Sequence, residues 1–174
     1  MMTGTDRGLL ARVATGLLLA AGSTAIAAAW GFQLIGGYVP CKLCLEQRVP
    51  YYIGLPLALL SLLALFGRRY GVAAVLLLLV AVVFAYGAGL GIYQAGGEWQ
   101  FWAGPSDCGG GSAAPTSAAN MLQALQTTRV VSCTEASWRM LGLSFAGWNA
   151  VASAGLCLLA LGAAVLARKA GKPA

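Results

Sequence analysis

The stretch Pro40-Cys41-Lys42-Leu43-Cys44-Leu45-Glu46-Gln47-Arg48 holds two thiols three positions apart and a permanent cation. Proline is favoured at the first position of a helix, so the spacing predicts a helix opening at Pro40 with Cys41 in its first turn. There the unpaired N–H groups and the helix dipole stabilise a thiolate. At about 100° per residue, Cys44 lies about 60° from Cys41 around the helix and Arg48 about 20° from it, so the three share one face. A guanidinium beside a dithiol favours the thiolate and offers a donor to an anionic oxygen. The chemistry this permits is thiol–disulfide exchange. A structural disulfide explains the pair less well, because a bonded Cys-x-x-Cys closes a very small loop and removes little chain entropy. Zinc is the remaining alternative, with Cys108 and Cys133 completing four thiolates. Zinc sites usually bring their second pair at close spacing, whereas these two stand far apart in a Gly-rich segment. The redox dithiol is favoured, and no metal is expected.

The elements that must position this pair are apolar. The chain of 174 residues is 59% hydrophobic and 9% charged, with a mean hydropathy of +0.77. A soluble domain carries about 25% charged residues, so this chain could not cover a water-facing surface. The composition predicts an all-α integral membrane protein. Four stretches carry no charge: Val13–Ile35, Val49–Phe66, Val72–Tyr93 and Met140–Ala167. Each suits the roughly 20 residues that a spanning helix needs. They predict a single membrane domain over 1–174, a bundle of four helices at about 13–35, 49–66, 72–93 and 144–167. Pro50 and Pro56 lie in the second run, where a kink is expected. The first run, with Arg7 and Arg12 ahead of it and small residues at Ala25–Ala29, also has the look of a signal peptide. Its apolar character continues through Trp30 to Ile35, past the 7–15 residues of a cleaved core, which favours a retained helix. Asn149, deep in the fourth run, is expected to make an interhelical hydrogen bond.

The net charge is +6, from 11 Lys and Arg against 5 Asp and Glu, and there is no histidine. The basic residues form no stripe, which argues against nucleic-acid binding, and imidazole chemistry is excluded from this chain. Seven of them (Arg7, Arg12, Arg68, Arg69, Arg168, Lys169 and Lys172) fall on the side of the termini and the Arg68-Arg69 hairpin. Four (Lys42, Arg48, Arg129 and Arg139) fall on the other. Cytoplasmic loops carry the excess of Lys and Arg, so both termini are expected in the cytoplasm. Two loops then face outward, a short one at about 36–48 and a long one at about 94–139. Within the long loop, Met121, Leu122 and Leu125 follow one helical face. That fits a short helix on the membrane surface, or equally a loop helix packed on protein. Trp99, Phe101 and Trp102 suit the interfacial aromatic belt.

This topology puts Cys41, Cys44, Cys108 and Cys133 on the oxidising side, where cysteines imply disulfides. Cys157, inside the fourth run, reads as a small buried hydrophobe. A Gly-rich loop carrying Cys108 and Cys133 can meet a soluble thiol partner. A dithiol at a helix end can meet a lipid-soluble acceptor. The chain has no haem ligand set and no nucleotide fingerprint, so the acceptor should be a small membrane molecule, and a quinone fits.

The residues Pro40-Cys41-Lys42-Leu43-Cys44 with Arg48, Gly97-Glu98-Trp99, Phe101-Trp102-Ala103-Gly104-Pro105 with Cys108, Cys133 with Trp138, and Gly142-Leu143-Ser144 leading to Gly147-Trp148-Asn149 resemble the disulfide bond formation protein B (DsbB) family. The likeness covers nearly the whole chain. It implies a thiol:quinone oxidoreductase of the bacterial inner membrane, with ubiquinone or menaquinone as cofactor. Its partner would be a periplasmic thioredoxin-like dithiol oxidase, DsbA-like. In such a scheme Cys108 forms the mixed disulfide with that partner, and Cys133 is released to engage Cys41. Cys44 becomes the thiolate stacked against the quinone, and Arg48 holds a quinone oxygen. Two positions depart from the family pattern. Gln94 stands where many relatives carry histidine, and Gln47 where they often carry a carboxylate, with Glu46 one step earlier. No role is carried over to either. The competing reading is a non-catalytic membrane scaffold whose outward cysteines are structural.

Overall fold

The computed structural model describes residues 3–38, 40–103, 136 and 138–171. Four helices are long and apolar enough to cross a membrane. Helix α1 spans Gly4–Leu34, α3 Val49–Phe66, α4 Tyr70–Glu98 and α5 Phe145–Ala170. A one-turn helix, α2 (Lys42–Glu46), precedes α3. Strands β1 (Arg139–Met140) and β2 (Leu143–Ser144) form a minimal antiparallel hairpin, Arg139 opposite Ser144. Its turn has φ of 52° at Leu141 and 82° at Gly142, the double left-handed conformation of a tight two-residue hairpin. The protein is an all-α four-helix bundle and a multi-pass membrane protein.

Small residues fill the interior and large ones face out. At one end Ala11, Ala73, Ala163 and Ala167 pack with Leu65 and Leu77. Further along, Leu18, Ala58, Val80, Phe84 and Ala160 form a second cluster. Leu63, Val82, Leu158 and Val165 are more than half exposed, the arrangement expected where lipid rather than water surrounds the bundle. α4 and α5 share the most extensive contact, and Gly91 permits it. A Cβ there would lie 2.8–2.9 Å from the backbone of Ala146 and Ala150.

The ends of the helices are capped locally. Thr3 and Asp6 form a reciprocal capping box, which starts α1 nine residues before the uncharged run expected at 13–35. α3 closes through Arg68 N–H to Leu65 O and Arg69 N–H to Ala64 O, a Schellman pattern with Arg68 at φ 55°. Arg12 of α1 donates to Leu65 O at 3.0 and 3.3 Å and lies over the Phe66 ring. α3 continues unbroken through Pro56. α4 runs five residues past the expected end at 93, because Gly96 and Gly97 continue the helix instead of breaking it. It ends in a second Schellman pattern, Phe101 N–H to Gly96 O and Gln100 N–H to Gly97 O, with the Trp102 ring over Gly96. α5 starts at Phe145, capped by Ser144 Oγ, which accepts from Gly147 N–H. Gly4 lies near Ala170 O, and Gly8 and Gly171 near Tyr70. The first residues of α1, the last of α5 and the α3–α4 hairpin therefore share one end. The expected surface helix at 116–128 lies outside the described residues.

Candidate active site

At the opposite end, the last turns of α1 and α4 meet the first turns of α3 and α5. α2 sits across this end. Its N-cap is Cys41, not a first-turn residue as expected, and Pro40 lies just outside the helix. The extended backbone of Cys41 lets its sulfur accept from Cys44 N–H at 3.3 Å, the bond an N-cap oxygen normally makes. That bond folds the two sulfurs to 2.7 Å apart. Cys41 is 1% exposed and Cys44 is half-buried. The adjoining Cys44 sulfur, together with burial, pushes the Cys41 thiol well above the usual thiol range. Cys41 therefore keeps its proton in the reduced pair, and Cys44 is the sulfur with access to the surroundings.

The pair opens on a cavity of about 330 Å³, within the size range of small-molecule sites. Phe32, Tyr38 and Phe145 form an aromatic wall, edge to face with centroids 5.0–6.2 Å apart. Trp138 stacks on Phe145 at 4.9 Å. The opposite wall is polar and carries Gln47, Arg48, Gln94, Glu98 and Asn149.

Arg48 lines this cavity, but not through the single helical register expected from Cys41 to Arg48, because α2 ends at Glu46 and Arg48 caps α3; its bonds go to α1 and not to the sulfurs. It donates to Gln33 Oε1 at 2.6 Å and Ala29 O at 3.4 Å and lies over the Trp30 ring at 5.1 Å. A guanidinium has five N–H donors, so this arrangement leaves donor capacity for an anionic oxygen in the cavity. Asn149 makes the expected interhelical bonds. It donates to Gln47 Oε1 at 2.7 Å and accepts from the Tyr51 hydroxyl at 2.9 Å. Gln47 in turn donates to Gln94 Oε1.

Gln94 and Glu98 were assigned to a loop by sequence; both are buried one turn apart on α4. Gln94 Nε2 lies 3.6 Å from each sulfur and 3.4 Å from Glu98 Oε1. Glu98 is 9% exposed, and its Oε2 has no hydrogen-bond partner among the described residues. Arg139 meets only its backbone carbonyl, at 3.5 Å. The signal that could have found this group is polarity at the end of an apolar run, since ionisable or amide side chains at membrane depth are costly and usually functional. Cys108 and Cys133 lie outside the described residues. Cys157 is half-buried on α5 against the second apolar cluster.

Four spanning helices that hold a dithiol at one end, beside a cavity lined by a buried cation, define a membrane-embedded thiol redox protein. The family model for disulfide bond formation protein DsbB matches residues 11–163. A curated disulfide bond formation protein B from Marinobacter nauticus is 34% identical, over 88% of this chain and 87% of its own length. No solved structure matches the chain significantly. The chain belongs to the DsbB family of disulfide bond formation proteins.

Proposed function

We propose that the protein is a thiol:quinone oxidoreductase of the bacterial inner membrane. It reoxidises a periplasmic thioredoxin-like dithiol oxidase and delivers the electrons to membrane quinone. The observation that carries this reading is the sulfur pair, 2.7 Å apart, opening on an aromatic-walled cavity that also receives Arg48. A structural disulfide would need neither the cavity nor the cation. The donor set suits a flat apolar ring with polar oxygens, since Phe32, Tyr38 and Phe145 supply the faces and Arg48 a fixed positive donor.

Each exchange oxidises the attacking sulfur and reduces the sulfur that leaves, so electrons balance at every step. A thiolate of the partner attacks Cys108 in a Cys108–Cys133 disulfide, and Cys133 leaves as the thiolate. Cys133 attacks Cys41 in the Cys41–Cys44 disulfide, and Cys44 leaves. The partner's second thiol then resolves its mixed disulfide with Cys108 and departs oxidised, which leaves Cys108 reduced. Attack by Cys108 on the Cys133–Cys41 bond re-forms the loop disulfide and leaves Cys41 and Cys44 as a dithiol. A bound quinone supplies the sink for two electrons and two protons that returns this pair to its bridged form. Arg48 orients the acceptor's oxygen, and the aromatic wall excludes water. A DsbA-type partner stands near −120 mV, so the acceptor must be more oxidising still.

The test is purified protein with a reduced partner and added quinone, followed by quinone absorbance. Cys41→Ser and Cys44→Ser abolish turnover while the protein still inserts, and Cys108→Ser abolishes turnover from the partner. Full quinone reduction by Cys44→Ser ends the proposal.

A further inference from the structure

The amides around the dithiol form a chain with one direction. The Tyr51 hydroxyl donates to Asn149 Oδ1 at 2.9 Å. The Asn149 NH2 in turn donates to Gln47 Oε1 at 2.7 Å. The Gln47 NH2 therefore faces Gln94 Oε1. Gln94 turns its NH2 toward Cys41 and Cys44 at 3.6 Å each and toward Glu98 at 3.4 Å, while its Oε1, which accepts from Gln47, lies 4.0 Å from the Cys44 sulfur. An amide has one acceptor end and one donor end, so each link removes the freedom of the next. In this orientation the Gln94 nitrogen is closer to the Cys44 sulfur, at 3.6 Å, than the Gln94 oxygen is, at 4.0 Å.

We propose that Gln94 is a catalytic hydrogen-bond donor to the Cys41–Cys44 pair, with Tyr51, Asn149 and Gln47 as the positioning residues that aim it. A donor to a charged sulfur favours the charged form. Because an amide does not titrate, the donor is present at every pH. The relay runs from Tyr51 of α3 to Asn149 of α5, to Gln47 at the end of α2 and to Gln94 of α4, so the protonation of the dithiol depends on the packing of the bundle. Among the described residues, the titratable or charged side chains at this cavity are Glu98 of α4, Arg48 and Tyr51 at the start of α3, and Tyr38 ahead of α2. α1 and α5 contribute Gln33, Asn149 and Trp148, none of which titrates. Arg139 of β1 reaches only the Glu98 backbone. Gln94 is the group with a donor within reach of both sulfurs.

The test needs neither quinone nor partner, so it stands apart from the oxidoreductase reading. The full-length protein is reduced in detergent and alkylated with iodoacetamide from pH 5 to 10, and Cys41 and Cys44 are followed by peptide mass spectrometry. In Gln94→Leu the midpoint of alkylation rises by about one pH unit, so the rate at neutral pH falls about tenfold. Tyr51→Phe keeps the ring that packs against Phe84 and removes only the hydroxyl. It moves the midpoint in the same direction by a smaller amount, about a twofold to fivefold loss of rate. An unmoved profile in a folded Gln94→Leu protein overturns the proposal. If that variant does not fold, an unmoved profile in Tyr51→Phe overturns it.

Discussion

Arg48 shows how a single side chain is prepared for work it does not yet perform. Its charge is buried and would be costly alone. Gln33, the Ala29 carbonyl and the Trp30 face hold it from one side. The cavity side keeps its remaining donors. A charge-assisted hydrogen bond is worth about 1.5–3 kcal/mol, which corresponds to about tenfold or more in affinity. Arg48→Met is therefore expected to raise the apparent KM for quinone about tenfold or more, with a smaller effect on kcat. Steady-state kinetics at varied quinone concentration measure this, and an unchanged KM would remove Arg48 from the binding wall.

Helix packing follows the same economy of size. Two glycines on α4 stand two positions apart and meet opposite environments. Gly91 touches the α5 backbone, whereas a Cβ at Gly89 would meet nothing within 4 Å. Gly91→Ala must push α4 and α5 apart, at a cost of about 1–3 kcal/mol. Gly89→Ala gains helix propensity, about 0.5–1 kcal/mol in the stabilising direction. Detergent unfolding of the two variants should give shifts of opposite sign, and equal shifts would contradict the close α4–α5 contact. The four long helices were legible in the sequence because a bilayer forbids charge, and the uncharged runs betray that rule. Their ends were less legible. α1 extends to the Thr3 cap through a stretch interrupted by Asp6, Arg7 and Arg12, which ended the uncharged run at Val13, and Gly96-Gly97, expected in the outer loop, continue α4 under the Trp102 ring. The dithiol stood out by its spacing, but the register that joined it to Arg48 did not hold, because α2 ends at Glu46 and a new helix starts at Val49. The relay was not legible, because Tyr51 and Asn149 are 98 positions apart and meet only when the bundle closes.

For the molecule as a whole, the two ends differ in kind. The end where α1 begins and α5 finishes gathers Arg12, Arg68, Arg69, Arg168 and Lys169, whereas the dithiol end carries the cavity and the aromatic cluster. The excess of Lys and Arg predicts that the first end faces the cytoplasm. In a chain stripped of its five cysteines, Trp99→Cys should react with a membrane-impermeant maleimide added outside spheroplasts, and Arg69→Cys only after lysis. The reverse pattern would place the dithiol on the reducing side and end the proposed reaction.

Along α1 the cavity is bounded by Ala25, Ile26, Ala28, Ala29, Phe32 and Gln33, and Ala28 is exposed. Three of these six side chains are single methyl groups, so part of this side is thin. For the proposed chemistry, an oil-soluble oxidant would come in sideways, within the plane of the bilayer, while the water-soluble thiol protein approaches from the top. The two reactants would enter by doors set at right angles, and neither would have to leave its own solvent.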